Sequence, residues 1–237
     1  MTSGESETGF VKEINNGNQP KAIVLGDGSS ILLQPRSSLQ YPEIFAENSR
    51  EIKLSGEAFF EISKDPKKPF IIYSEQLVTK VTGTSFTIRD FKNEDRALVQ
   101  VKTGKVSVFS KAVVHSNNVV SGTNLDGVFL TPNQQVVFLR HEFRMIKSLV
   151  DNPSLLYSSV KPHFEFKDTP LRKVFAVIEE SYGVEIVYDE ELMGNCALNA
   201  SLDDMPLYDK VRLICKGVNA KYEILDSRII ITGKGCR

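Results

Sequence analysis

Glu57 and Glu61 are the first residues whose types and spacing suggest a reaction. Two carboxylates flanking a bond can act as acid and base. Both lie in Gly56-Glu-Ala-Phe-Phe-Glu-Ile62, four residues apart in an alternating run, so a strand would present them on one face. Ala58, Phe60 and Ile62 take the other face, which makes the carboxylates the solvated side of a half-buried strand. The three histidines, His115, His141 and His163, could serve as bases or metal ligands. None stands in an HExxH pattern or at ligand spacing from a cysteine or aspartate, so they read as surface side chains. Asp189-Glu190-Glu191 could attract a cation but reads as a solvated loop after a strand. Gly26-Asp27-Gly28 and Gly56-Glu57 are too short to cradle a phosphate, and no GxSxG elbow or GxxxxGK[ST] loop occurs. The three cysteines lack CxxC spacing and are too few for a disulfide scaffold. Cys196 and Cys215 lie in apolar contexts and read as small buried side chains, with a disulfide between them left open. Cys236, in Gly-Lys-Gly-Cys-Arg, reads as exposed. Nothing in this set demands a reaction; no enzyme activity, cofactor or metal is expected.

Composition narrows the classes further. The 237 residues carry 29 basic and 30 acidic side chains, so the basic excess of a nucleic-acid footprint is missing. Residues 1–150 carry 18 basic and 16 acidic side chains and residues 151–237 carry 11 and 14, which leaves recognition to shape and hydrogen bonding. No run reaches the roughly 18 apolar residues of a membrane-spanning helix. The N-terminus has neither the basic nor the apolar region of a signal peptide.

The elements that would position any site fall into two regions. From residue 21 to 147 short β-rich runs follow one another: Ala22–Leu25, Ile31–Leu33, Glu51–Leu54, Ala58–Ile62, Phe70–Tyr73, Val78–Val81, Phe86–Ile88, Leu98–Val101, Val106–Phe109, Val128–Leu130 and Gln135–Leu139. Gly26-Asp27-Gly28 and Thr103-Gly104 mark hairpins, Thr131-Pro132-Asn133 separates the last two runs, and Ser55-Gly56 and Asp65–Pro69 mark turns. Such spacing predicts an all-β roll, sandwich, barrel or solenoid-like domain. After a linker over 148–161 the period changes. Phe164 and Phe166 alternate in a strand; Asp168-Thr169-Pro170 opens a helix with face Leu171, Val174, Phe175, Ile178 and Tyr182, stopped by Gly183. Val184–Tyr188 and Cys196–Ala200 are strands, Asp203–Pro206 opens a second helix, and Tyr222–Leu225 with Arg228–Ile231 close a hairpin at Asp226-Ser227. The order β-α-β-β-α-β-β predicts a small α+β domain over 162–233, its two helices on one face of a sheet. Residues 1–20 read as a flexible segment and 234–237 as a tail.

Several runs together resemble a known family. They are Leu25-Gly-Asp-Gly-Ser-Ser-Ile31, Tyr41-Pro42, Leu54-Ser-Gly-Glu-Ala-Phe-Phe-Glu-Ile62, Asp65-Pro-Lys-Lys-Pro-Phe70, Val81-Thr-Gly-Thr-Ser-Phe86 and Lys102-Thr-Gly-Lys-Val-Ser-Val108. They resemble the FecR family of anti-sigma and sigma-regulator proteins of the Gram-negative inner membrane. Residues 162–233, with Phe164-Glu-Phe-Lys-Asp-Thr-Pro-Leu171 and Tyr182-Gly-Val-Glu-Ile186, resemble the small domain that follows FecR domains in Bacteroidetes, similar to the secretin and TonB N-terminal signalling domain. The chain departs at Gly26, where many relatives have proline, and at Leu32-Leu33, where tryptophan is frequent.

The resemblance implies signal relay in the periplasm. The signalling domain of an outer-membrane TonB-dependent receptor docks on the FecR-like protein, which regulates an extracytoplasmic-function sigma factor. The family binds its sigma factor through a cytoplasmic segment beyond a transmembrane helix, and neither is expected in these residues, which look like the periplasmic part. The partner-binding candidates lie on two strands able to accept a partner strand at an open edge: His163, Glu165 and Lys167 on one, Arg228 and Ile230 on the other. The alternative is a carbohydrate-binding β domain joined to an adaptor module; such sites favour exposed aromatics, and tryptophan is absent.

Overall fold

The structure, a computed structural model, describes residues 9–111, 127–156 and 162–236. The chain divides into two compact units, Met1–Thr131 with Val136–Ile146, and Pro132–Gln135 with Lys147–Arg237. His115 lies outside the described residues.

The first unit is built from strands alone among its described elements. They are β1 (Phe10–Asn15), β2 (Lys21–Val24), β3 (Ser30–Leu33), β4 (Ser37–Pro42), β5 (Arg50–Glu61), β6 (Phe70–Tyr73), β7 (Leu77–Val81), β8 (Ser85–Asp90), β9 (Arg96–Thr103), β10 (Val106–Ser110) and β11 (Val128–Leu130). β12 (Gln134–Leu139) and β13 (Arg144–Leu149) complete one thirteen-stranded sheet.

β5 is its spine. Arg50, Ile52, Leu54, Gly56, Ala58 and Phe60 point inward through all twelve residues. That unbroken period of two marks a single strand. The turn expected at Ser55-Gly56 does not form. Gly56 instead takes φ +104° within the strand, where an added Cβ would stand 2.4 Å from Ser37 Oγ. A glycine of this kind bends a strand without ending it. β5 changes neighbours around the bend: residues before it pair with β4 and, in parallel, with β6, and residues from it onward pair with β3 and β8.

The hairpin at Gly26-Asp27-Gly28 forms between β2 and β3. The one expected at Thr103-Gly104 does not, and the turn Thr131-Pro132-Asn133 closes no hairpin either. β9 pairs with β8 and β12, whereas β10 pairs with β7 and β11, so both turns carry the chain between strands that lie apart in the sheet. A turn's residues fix its local path; which strand lies alongside is decided by the buried faces. Phe10–Asn15, ahead of the first expected strand, forms β1 antiparallel to β4. The core of this unit holds Phe60 and Phe86, stacked 5.1 Å apart, with Phe70 and Phe138.

The second unit runs β14 (Glu165–Pro170), α1 (Leu171–Tyr182), β15 (Glu185–Val187), α2 (Glu190–Met193), β16 (Ala197–Ser201), α3 (Leu207–Gly217), β17 (Ala220–Leu225) and β18 (Arg228–Gly233). The expected order holds, with two differences. The strands form two sheets, β14–β16 and β15–β18–β17. Asp189-Glu190-Glu191 is not a loop: Asp189 caps the single turn α2, its side chain accepting from the Leu192 amide at 3.0 Å. α1 buries its expected face and ends at Gly183 in the left-handed conformation, φ +63°. Neither α1 nor α3 has the expected side-chain cap; prolines, Pro170 and Pro206, hold the cap positions. Asp203, ahead of α3, instead accepts from the Phe164 amide at 2.6 Å, just before β14. That bond holds the Asp203 carboxyl below its usual value.

Lys210 sits three residues after Leu207 and four before Ile214, on the buried face of α3, and is fully buried. Its ammonium donates to the carbonyls of Leu202 and Asp203 and lies 3.9 Å from the Phe164 ring centroid. Lys210→Met should therefore leave two carbonyls short of a donor and cost about 1–3 kcal/mol. Urea unfolding checks this, and a variant as stable as the parent would contradict the role.

The cysteine pairing differs from either open alternative. Cys196 is bonded to Cys236 with a Cα separation of 5.5 Å, and Cys215 is the free, buried thiol. Burial pushes that thiol up to about 11.

Candidate protein-docking surface

The residues with chemical potential are occupied by structure. Glu57 and Glu61 share a face of β5 as expected, but Glu57 is paired with Arg89 at 2.6 Å and Glu61 meets Ser30 at 3.3 Å. Arg89 also grips Glu94, which raises the guanidinium's already high value. His141 lies 3.1 Å from Asp95 on the surface, and His163 lies 3.6 Å from Asp203. Among the described residues no three of His, Cys, Asp and Glu gather as a metal site. No described helix is long and apolar enough to cross a membrane.

Docking therefore turns on open strand edges. β14 carries the exposed Glu165 and Lys167 and, among the described residues, pairs on one side only, with β16. Its register breaks between Phe166 and Thr169, where Asp168 takes φ +47°. Around that break the main chain is already engaged: the Lys167 amide donates to Thr169 Oγ1 at 3.2 Å and the Asp168 amide to Asn199 Oδ1 at 2.9 Å. Glu165 is also tied across the pair to the Ser201 hydroxyl. β14 begins at Glu165, so His163 precedes the strand rather than lying on it, and the edge at Glu165 and Lys167 is short and blunted by a bulge, a device that discourages strand addition.

β18 is no edge at all. It lies between β15 and β17, parallel to the first and antiparallel to the second. Its main chain is committed on both sides, so Arg228 and Ile230 can meet a partner through side chains alone. Arg228 is already paired with Glu185 at 2.9 Å. The structure thus corrects the expected open edge at Arg228–Thr232. A local pattern marks a strand without showing its place in a sheet, and here a non-sequential parallel neighbour covers the outer side.

The edge the sequence reading missed is β17, which among the described residues pairs with β18 alone. Beside it lies a groove of about 460 Å³ lined by Arg212, Cys215, Lys216, Asn219, Lys221 and Tyr222. The signal was present in the sequence: Lys216 and Lys221 flank the Gly217–Asn219 link between helix and strand. In the first unit a groove of about 440 Å³ is mainly apolar, with Phe10, Ile44, Phe45 and Tyr73 among its walls.

Comparison with known proteins agrees with both units. The family model described as FecR protein matches residues 13–107, and that described as FecR, C-terminal, matches residues 163–231. Two crystal structures of a candidate anti-sigma factor from Parabacteroides distasonis are similar to the chain. Each is 26% identical and covers 94% of this chain and 98% of that one, with TM-scores of 0.53 and 0.52. No curated protein matches. With family matches falling on each compact unit and together taking in more than half of its residues, the chain belongs to the FecR family.

Proposed function

We propose that this chain is the periplasmic signal-transducing region of an anti-sigma factor of the FecR type. Its task is to be gripped by the signalling domain of an outer-membrane TonB-dependent receptor and to pass that state to an extracytoplasmic-function sigma factor. The observation carrying this reading is the pair of family matches, one on each unit, together with the likeness to a candidate anti-sigma factor along 94% of the chain. A regulator's role is supported at that level; the receptor, the sigma factor and the compartment are the proposal. Two features lend support. Carboxylates and histidines are engaged in ion pairs and strand contacts, which suits a molecule that works by contact. The Cys196–Cys236 bond suits an oxidising compartment such as the periplasm. The sigma-factor contact is assigned to a cytoplasmic segment, leaving these residues the receptor side. Calorimetric titration with the signalling domain of a TonB-dependent receptor from the same organism should give saturable one-to-one binding. Absence of binding with the domain at about 100 μM, a concentration that would nearly saturate a site with a Kd of about 1 μM, would count against the relay.

A further inference from the structure

We propose that the outer edge of β17, with the groove between it and α3, is a strand-addition site for an extended acidic segment of the partner. This rests on reading the second unit as a protein-docking module, and adds the strand and the chemistry of what binds it. β17 meets β18 from Ala220↔Gly233 to Leu225↔Arg228 without a register shift, across the two-residue turn Asp226-Ser227. Both turn residues have positive φ, +48° and +64°. In such a hairpin the closing pair exchanges both main-chain bonds and every second residue turns its amide and carbonyl away. Lys221, Glu223 and Leu225 therefore face β18, and Tyr222 and Ile224 direct their N–H and C=O groups to the open edge. No described strand pairs there. Unlike β14, this edge has neither bulge nor proline to blunt it, and Ile224 and Leu225 are 42% and 55% exposed at its end.

Charge selects the occupant. Arg212, Lys216 and Lys221 line the groove and no carboxylate does, although residues 151–237 carry more acidic than basic side chains. Arg212 shares its charge with Asp209 at 2.7 Å, which leaves Lys216 and Lys221 as the cations lining the groove, while Glu223 lies further along β17, outside that lining. An added strand with aspartate or glutamate at alternate positions would gain main-chain bonds along β17 and favourable potential from the groove. A second copy of this chain would instead bring two basic grooves together, so the charge argues against edge-to-edge self-pairing.

The test is calorimetric titration of the full chain with the receptor's signalling domain. Ile224→Pro deletes one outward amide while leaving the ladder to β18 intact, and should weaken binding at least tenfold. Lys216→Glu with Lys221→Glu, which leaves the backbone untouched, should weaken it as much and reduce its salt dependence. Glu165→Lys with Lys167→Glu on β14 should stay within twofold. Thermal unfolding of each variant confirms that it folds, and hydrogen exchange should show new protection at the Tyr222 and Ile224 amides. Unchanged affinity in both β17 variants, or protection confined to β14, would overturn the site while leaving the relay standing. No binding by the unmodified chain would remove the relay and the site together. A dimer of this chain abolished by Ile224→Pro would give the edge to a second copy and overturn the acidic partner.

Discussion

Arg50→Met is expected to destabilise the first unit by about 3–5 kcal/mol, the usual cost of removing one partner from a buried ion pair. Arg50 opens β5 and points into the core, where its side chain is 2% exposed. Its guanidinium bonds Asp27 at 2.6 Å, the Ser63 carbonyl at 3.0 Å and the Lys68 carbonyl at 2.9 Å, and lies over the Phe70 ring. Asp27 in turn accepts from the Ser29 hydroxyl at 2.7 Å, and Ser29 Oγ accepts from the Ser63 amide at 3.1 Å. One cation thus joins the β2–β3 hairpin, the end of β5 and the Asp65–Pro69 turn. Methionine would fill some of the volume and leave two carbonyls and a carboxylate without their donor. Asp27→Leu combined with Arg50→Met should recover much of the loss, because the uncompensated charge is then gone. Calorimetric unfolding reads both; a single variant within 1 kcal/mol of the parent, or a double variant no better than the single, contradicts the role.

The same pair sets an acid limit. Burial by itself would raise the Asp27 carboxyl, but bonds from Arg50 and Ser29 outweigh it and hold the group below its ordinary value. A carboxyl lowered on folding contributes stability above its unfolded value of about 3.9. That contribution is lost as pH falls through the lower folded value. In Arg50→Met the arginine's share of the lowering is lost while the Ser29 bonds and the burial remain, so acid unfolding should begin at higher pH than in the parent.

Asp27, Ser29 and the Asp65–Phe70 run also carry much of the resemblance to the FecR family. Their bonding shows why a sequence motif need not mark a site: these residues staple turns to the core strand. The Arg50 guanidinium was not legible as their partner, because an arginine at the head of an alternating run reads as a solvated end. Alternation made the two halves of β5 legible though not their continuity through Gly56, and helical spacing with Gly183 made α1 legible, since both are local periods. The positions of β9, β10 and β18 within their sheets were not, since neighbours in a sheet are chosen by long-range burial. The docking edge suffered for the same reason: β18 has the more apolar strand sequence, yet that apolarity reflects a central place, with Ile229 and Ile231 buried. β17, more polar and less conspicuous, is the strand left open. Lys210 could have been found from its spacing on the face of Leu207 and Ile214, a position where lysine needs buried acceptors.

Breaking the Cys196–Cys236 bond should cost the second unit about 4 kcal/mol, the loop-closure value for a sequence separation of 40. The bond anchors the residues after β18 to the start of β16, and the tail approaches α2 on the way: a Cβ on Gly235, at φ +77°, would stand 2.8 Å from the Leu192 carbonyl oxygen. Reduction frees this end of the chain and opens the packing over Met193, which is fully buried in the same core as Cys196 and Ile229. Cys215 does not offer a ready substitute partner. Its thiol is buried in that core and pushed up to about 11, so little thiolate exists near neutral pH to exchange with the bond. Cys236→Ser and reduction of the parent should therefore lower the melting temperature of this unit by similar, large amounts, and reduction should add nothing to Cys236→Ser. Cys215→Ala should keep the sensitivity to reductant, and non-reducing peptide mapping should find Cys196 joined to Cys236. Equal stability with and without reductant, or a map joining Cys196 to Cys215, would refute the assignment. A loss of this size is a large share of a small domain's total stability, so the docking edge on β17 is expected to be fully available only in an oxidising compartment, which ties the proposed function to where the bond can persist.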